Sequence, residues 1–216
     1  MNTRIASLDE YREQYRLSCE DPENFWSNIA SRYQWFKPWD TVLSWDFDRL
    51  DVRWFDGAQL NITENCLDRH LETRGEEVAI LWEPNHPDHA QRKLTYRQLH
   101  AEVCRTANMM KKTGVQKGDR VCIYMPMVPE AAIAMLACAR IGAIHSVVFA
   151  GFSAQSLADR INDSNCGFVL CRRRLPWREG DRPESNRGRG LVKDGMCEAG
   201  DCPKTYCSPH RHAAKP

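Results

Sequence analysis

The sequence predicts an α/β fold in which a doubly wound parallel sheet is covered by helices on both faces. Short, continuously apolar runs such as Val121–Met125 and Ile144–Phe149 have the composition of fully buried strands. Each run is followed by a helical pattern with its own start and stop signals, and this alternation is typical of doubly wound sheets. Aromatic residues are concentrated before residue 62, which indicates a separate amino-terminal segment.

The amino-terminal segment, residues 1–62, opens with helix signals. Two helix starts are predicted, one from the capping-box pair Ser7 and Glu10 and one from the N-cap Asp21 followed by Pro22. The aromatic-rich stretch Trp35–Phe55 shows no clear period, so we expect it to be irregular. Its rings are expected to pack a peripheral segment onto a larger body.

The partial α/β domain is assigned to residues 63–170. Its predicted helices are Glu64–Arg74, a helix capped by Thr95 with Gln98 and running to about Lys112, Pro129–Ile141 closed by Gly142, and one capped by Ser153. Its predicted strands are Val78–Trp82, Val121–Met125, Ile144–Phe149 and one that begins at Phe168. About four strands of a single parallel sheet are therefore expected.

The composition excludes several classes of protein. A net charge of +1 and 42% hydrophobic residues are typical of an ordinary soluble protein. The longest apolar stretch, Ala131–Ile144, contains Arg140 and is too short to span a bilayer. The first residues show no secretory signal, so the ten cysteines are expected to be free thiols in a cytoplasmic protein. We expect neither a membrane nor a nucleic acid among its partners.

Several segments resemble the AMP-forming acetyl-CoA synthetases, and the resemblance runs from about Tyr11 to Leu170. The segments are WFDGAQLN at 54–61, LWEPN at 81–85, KGDRV at 117–121, MPMVPE at 125–130 and GAIHSVVFAGFS at 142–153. KGDRV and MPMVPE are shared with the wider adenylate-forming superfamily. The aromatic segment and the last run are the specific ones.

The resemblance implies a ligase that makes acetyl-CoA from acetate, ATP and CoA through acetyl-adenylate, with Mg²⁺ accompanying the ATP. Such chemistry needs a Gly/Ser/Thr-rich loop whose backbone N–H groups hold the phosphates, and a lysine that neutralises developing charge. Neither the family's phosphate loop nor its carboxy-terminal catalytic lysine occurs in this sequence. We therefore expect a truncated form that is inactive alone, binds none of these cofactors by itself and contains no catalytic residue.

One matched segment is a candidate ligand contact. The resemblance places Phe149, Ala150 and Gly151 beside the entry path of CoA, where small residues would let a chain pass close to the backbone. The alternative is a tight strand-to-helix turn that needs Gly151 for its φ angle. His145 lies within an apolar strand and is expected to be a satisfied core histidine.

The composition changes abruptly after Leu170. Residues 171–216 hold 11 Lys and Arg against 6 Asp and Glu, whereas residues 1–170 hold 19 against 23. In place of the family's Ala-Asp-Gly-Gly segment the sequence reads CRRRLPW from residue 171. One permitted choice of codons for these seven residues encodes Ala-Asp-Gly-Gly-Tyr-Arg-Gly when the reading frame is shifted by one base. Residues 196–203, treated in the same way, encode a strand-like sequence in the same shifted frame.

The hypothesis is that a one-base shift near codon 170 makes the tail an out-of-frame, disordered peptide. The alternative is a non-enzymatic module with a metal-binding tail. Its possible zinc ligands are Cys197, Cys202, Cys207, His210 and His212. The basic tail could also contact nucleic acid non-specifically, but a frame shift would make both features accidental.

Overall fold

The structure is a computed structural model that describes residues 4–171 and the backbone of residues 195–198. The described chain divides into two compact units, the first ending at Asn65 and the second beginning at Cys66. None of the helices in the described part of the chain is long and apolar enough to cross a membrane.

The first unit begins with the two predicted helices, α1 (Leu8–Glu20) and α2 (Pro22–Ala30). The Ser7 hydroxyl accepts a hydrogen bond from the Glu10 backbone N–H, and the Asp21 carboxylate accepts one from Asn24. Both side chains satisfy N–H groups that have no partner within the helix. The two predicted N-caps are therefore confirmed.

The aromatic-rich stretch is not irregular as predicted, because it contains a β-hairpin of β1 (Thr41–Asp46) and β2 (Asp51–Asp56). The two strands are antiparallel, and Leu43 lies opposite Trp54. The connection lacks the Asn-Gly or Asp-Gly signal of short hairpins, and Leu50 takes a positive φ of 54° there. Its rings pack together, with the ring centroids of Trp35, Trp39 and Phe55 lying 5.2–5.6 Å apart.

A broken helical segment leads from the first unit into the second, where one helix over Glu64–Arg74 is predicted. The structure has α3 (Ile62–Cys66), a 3₁₀ turn (Asp68–His70) and α4 (Leu71–Arg74). The break falls at Leu67, which is 2% exposed and turns into the core of the second unit. The prediction of a continuous helix is wrong because burying Leu67 interrupts the helical spacing.

The main sheet of the second unit contains β5 (Arg120–Met125), β6 (Ile144–Phe149), β7 (Phe168–Cys171) and β8 (Gly195–Glu198). Its strand order is β6-β5-β7-β8; the first three strands are parallel, and β8 is antiparallel to β7. The predicted α/β fold class is confirmed, although the sheet differs in detail. The expected first strand, now β3 (Val78–Trp82), instead pairs antiparallel with β4 (Arg92–Thr95) in a separate sheet.

Helices cover both faces of this sheet. The central strand β5 sends Val121, Ile123 and Met125 into one apolar cluster, together with side chains from α5 (Tyr96–Lys112) and α6 (Pro129–Ile141). Cys122 points into a second cluster with residues of α7 (Ala154–Ser164). Successive strand residues face opposite sides, so β5 is buried on both.

The helix ends in this unit follow the predicted signals. Thr95 and Gln98 form a complete capping box at α5, and Ser153 caps α7 by accepting from the Ser156 N–H at 3.2 Å. Gly142 ends α6 in the left-handed region at φ 74°, where glycine carries no steric penalty.

The tail from residue 171 is only partly described. Cys171 ends β7 and residues 195–198 form β8, so these positions are strands and depart from the predicted disorder. The rest of that prediction, and the interpretation of the tail as out-of-frame peptide, lies outside the described residues.

Candidate functional site: the turn after β6

The strand order places a topological switch point at the carboxyl edge of the main sheet. After β5 the chain passes through α6 to β6 on one side of β5, and then through α7 to β7 on its other side. The connection after β5 and the connection after β6 therefore run in opposite directions across the sheet. The place where the direction reverses is the topological switch point, and ligands bind there in open α/β sheets. The carboxyl ends of β5, β6 and β7 are Met125, Phe149 and Cys171.

The candidate residues Phe149, Ala150 and Gly151 form the turn at this edge. The Ala150 N–H donates to the Met125 carbonyl at 3.2 Å, which extends the β5–β6 pairing by one residue. The Tyr124 hydroxyl lies 3.0 Å from the carbonyl oxygen of Ala150 and 3.2 Å from that of Phe152. Because one O–H group is shared between two carbonyls, the path of the turn is fixed from the central strand.

Gly151 is required for space rather than for its φ angle. Its φ is outside the left-handed region, so the alternative explanation based on φ is wrong. A Cβ placed on Gly151 would lie 2.5 Å from Cε1 of Phe149, so a side chain there would displace that ring. The glycine therefore leaves room for the half-exposed Phe149 ring to lie against the turn.

Two aromatic side chains border the turn. Phe149 and Phe152 are 48% and 47% exposed, and their rings meet edge to face at 6.5 Å. The Arg160 guanidinium lies 5.6 Å from the centre of the Phe152 ring, within the range of a cation–π contact. Because residues 149–152 carry no titratable side chain, the turn can contact a ligand but cannot transfer a proton.

The loop after β5 is anchored by contacts that the sequence analysis did not identify. The Trp82 indole N–H donates to the Met127 carbonyl at 2.8 Å, and Arg92 pairs with Glu130 of α6 at 2.7 Å. These two contacts connect the β3–β4 sheet to the loop after β5 and to the first turn of α6. The Trp-Glu-Pro-Asn sequence at 82–85 carried a resemblance to the family, but it gave no indication of this contact.

A polar cluster lies outside this edge. Asp68 accepts two hydrogen bonds from the Arg140 guanidinium, both 2.8 Å long, and lies 3.2 Å from Nε2 of His100. The Arg140 hydrogen bonds lower the pKa of Asp68, and the charges of Arg140 and His100 act in the same direction. Cys104 approaches the same Nε2 at 3.6 Å. The contacts described for His100 therefore all involve one ring nitrogen, Nε2.

Of the other residues that the sequence singled out, some lie within the described part of the chain and some lie outside it. His145 is exposed, so the expectation of a core histidine is wrong: it lies on an edge strand that no described strand covers. The Cys197 backbone lies in β8 opposite Val169. Cys202, Cys207, His210 and His212 lie outside the described residues. In the part of the chain that the structure describes, no three His, Cys, Asp or Glu side chains are grouped to hold a metal ion.

Comparison with known proteins gives two family matches. Residues 11–66 match the model of the acetyl-coenzyme A synthetase N-terminus, and residues 67–212 match the model of AMP-binding enzymes. An acetyl-coenzyme A synthetase of Novosphingobium aromaticivorans is 58% identical over 169 residues, which are 76% of this chain and 26% of that protein. Acetyl-coenzyme A synthetase 2 of Pseudomonas putida is 58% identical over 162 residues, which are 75% of this chain and 25% of that protein.

A solved structure shows the same fold. The acetoacetyl-CoA synthetase from Streptomyces lividans superposes with a TM-score of 0.67 at 27% sequence identity, over 77% of this chain and 25% of that one. The chain thus spans about a quarter of the length of the relatives that it matches. It belongs to the AMP-binding enzyme family, within which its sequence corresponds to the amino-terminal portion of an acetyl-coenzyme A synthetase.

Proposed function

We propose that the chain supplies an amino-terminal, CoA-facing part of an acetate–CoA ligase that forms acetyl-CoA, AMP and pyrophosphate. The observation that carries the proposal is its 58% identity to two acetyl-coenzyme A synthetases over 162 and 169 residues. Acetate, ATP with Mg²⁺, and CoA are the small molecules of that reaction. Seven cysteines in the described residues are all free thiols, which supports a reducing, cytoplasmic location.

The turn at residues 149–151 is the part of the chain proposed to contact CoA. The arm of CoA that carries the thiol is slender and flexible, so it needs a narrow surface without bulky side chains. Ala150 and Gly151 provide such a surface, and the half-exposed Phe149 ring provides an apolar wall beside it. The Tyr124 hydroxyl donates to the Ala150 carbonyl, so a contact from the central strand holds the backbone of the turn.

The chain alone is proposed to be inactive. Acetyl-adenylate formation needs backbone N–H groups that hold the ATP phosphates and a cation that stabilises the charge developing at the reacting phosphate. The sequence contains no Gly/Ser/Thr-rich loop followed by a lysine, and the turn at 149–152 has no titratable group. One wall of a binding path is expected to hold CoA only weakly, with a Kd above about 1 mM, which corresponds to less than about 4 kcal/mol of binding free energy.

The inactivity is tested by acetate-dependent exchange of pyrophosphate into ATP. The purified 216-residue chain with Mg²⁺ is expected to show no exchange above a protein-free blank, while the Pseudomonas putida synthetase serves as the positive control. Exchange that depends on both acetate and this chain would overturn the claim of inactivity.

The contact with CoA is tested separately by following backbone amide chemical shifts while CoA is titrated to several millimolar. We expect shifts concentrated at residues 150–152, lost in Gly151→Ala and retained in Gly167→Ala. Gly167 is a matched control, because its φ is ordinary and a Cβ there would meet no atom within 4 Å. Shifts that are absent from the turn, or unchanged in Gly151→Ala, would show that the turn is a packing feature.

A further inference from the structure

A thiol and an imidazole lie side by side on α5. His100 and Cys104 are four residues apart in this helix, so their side chains occupy the same face, one turn apart. The Sγ atom of Cys104 is 3.6 Å from Nε2 of His100, a hydrogen-bonding distance for sulfur. Both residues are partly exposed. A nucleophile is therefore in direct contact with a base, which is the arrangement that activates cysteine side chains in proteins.

Two charged groups surround the same ring nitrogen. The Asp68 carboxylate lies 3.2 Å from Nε2 of His100, and the Arg140 guanidinium lies 3.3 Å from it. If the Cys104 thiol passes its proton to Nε2, the imidazolium that forms lies beside the Asp68 carboxylate, which stabilises it. The positive charge of Arg140 opposes the imidazolium, but the two hydrogen bonds from Arg140 to Asp68 offset that charge. The proton transfer leaves the net charge of the four side chains at zero.

Other cysteines in the described part of the chain lack this combination of access and a neighbouring base. Three of them are buried, namely Cys122, Cys138 and Cys166. Cys66 is exposed, and among the described residues it has no hydrogen bond to an imidazole or a guanidinium. Cys66 and Cys104 lie in the same compact unit. A comparison of these two thiols therefore separates the effect of exposure from the effect of a neighbouring base.

We propose that Cys104 is a modification site, at which His100 accepts the thiol proton and the sulfur exchanges with small disulfides. The proton moves from Sγ to Nε2, and the Cys104 sulfur attacks one sulfur of the small disulfide. The bond between the two sulfurs of the small disulfide breaks, and the thiolate that leaves takes up a proton. The products are a mixed disulfide on Cys104 and one small thiol, so the number of disulfide bonds is unchanged. The inference is independent of the proposed ligase activity.

Labelling of the purified 216-residue chain with dithiodipyridine, a small uncharged disulfide, tests the proposal, with mass spectrometry of peptides following each cysteine. A cysteine without an activating neighbour is only a few per cent thiolate at about pH 7. We therefore expect Cys104 to be labelled at least about fivefold faster than Cys66, in spite of its lower exposure. In urea, where the unfolded chain separates the four groups, the two rates should converge. A native ratio of the rates that is no higher than the ratio in urea would overturn the proposal.

The substitution His100→Gln tests the role of the base. Glutamine cannot take up the thiol proton, so labelling of Cys104 should slow at least about fivefold while labelling of Cys66 stays unchanged. His145→Gln is the matched control, because it removes an exposed imidazole from β6. The buried Cys138 stays unlabelled as long as the second unit is folded. Equal slowing by both substitutions, or no slowing by His100→Gln while Cys138 is unlabelled, would contradict the proposal. If His100→Gln exposes Cys138, the comparison of the native chain with urea decides.

Discussion

Asp68 lies in the 3₁₀ turn of the second unit and pairs with Arg140 of α6. Replacing Asp68 tests how much this pair stabilises the unit. Asp68→Asn keeps the size of the side chain but removes the charge that accepts two 2.8 Å hydrogen bonds from Arg140. Hydrogen bonds to charged groups contribute about 1.5–3 kcal/mol when buried, whereas exposed pairs contribute about 0–1. Because the two side chains are 31% and 24% exposed, we expect a loss of about 1–2 kcal/mol.

Native-state hydrogen exchange at the Ile123 amide is the appropriate assay, since that residue is fully buried in the second unit and reports on it specifically. The expected loss accelerates exchange by a factor of about 5–30. Glu77→Gln is the control. It removes a 2.7 Å pair with Arg74 in which both side chains are about half exposed, and it should change exchange little. Equal effects of the two substitutions would refute the reasoning.

The same contribution depends on pH in a defined direction. The hydrogen bonds from Arg140 lower the pKa of Asp68 in the folded chain. A carboxylate with a depressed folded-state pKa stabilises the fold above its unfolded pKa, about 3.9, and loses that stabilisation as the pH falls through the folded value. The difference between the wild-type chain and Asp68→Asn should therefore shrink as the pH falls below about 3.9.

Three further predictions concern the core, a helix cap and a thiol. Ile123→Ala should destabilise the second unit by about 2–5 kcal/mol in urea unfolding, and Ile123→Val by about 0.5–1.5, because both leave a cavity in a fully buried strand; equal losses would contradict the cavity argument. Thr95→Ala should lower the free energy of unfolding by about 1 kcal/mol, and Thr95→Ser should lower it much less, because serine keeps the hydroxyl that caps α5. Circular dichroism during thermal unfolding would measure the stability of each variant. A Thr95→Ser variant as unstable as Thr95→Ala would contradict the prediction. Burial raises the pKa of Cys138 to about 12, so at pH 8 its thiol should resist alkylation until the chain unfolds, whereas the exposed Cys19 should react in the native chain; mass spectrometry of labelled peptides would show which react, and early labelling of Cys138 would contradict the prediction.

Local signals predicted the second unit well wherever they act over a few residues. The capping box at Thr95, the glycine after α6 and the apolar strands β5 and β6 depend on interactions within one turn or one strand, which the sequence displays directly. The partner of β3 was not predicted because pairing depends on residues far apart in the chain. The run at 78–82 is as apolar as a parallel strand, yet its neighbour β4 is short and polar.

The candidate site shows the same limit. The resemblance could mark Phe149–Gly151, but it could not show that Gly151 is needed to clear the Phe149 ring rather than for its φ angle. The anchoring of the loop at Met127 by Trp82 joins residues 45 positions apart, and no local pattern reports such a contact. His145 illustrates the converse case: an apolar neighbourhood in sequence predicts burial, but its place on the last strand of the sheet exposes it.

The position of β5 between β6 and β7 has a consequence for how the chain folds during synthesis. β6 follows β5 after one helix, but β7 ends at Cys171, 46 residues after the end of β5 at Met125. At roughly 5–20 residues per second, a ribosome needs about 2–9 s to make that stretch. Throughout this interval the central strand of the sheet, β5, has one open side in the nascent chain. Binding of a chaperone that recognises extended apolar segments should therefore be greatest before the codons for 168–171 have been translated and their product has left the ribosome.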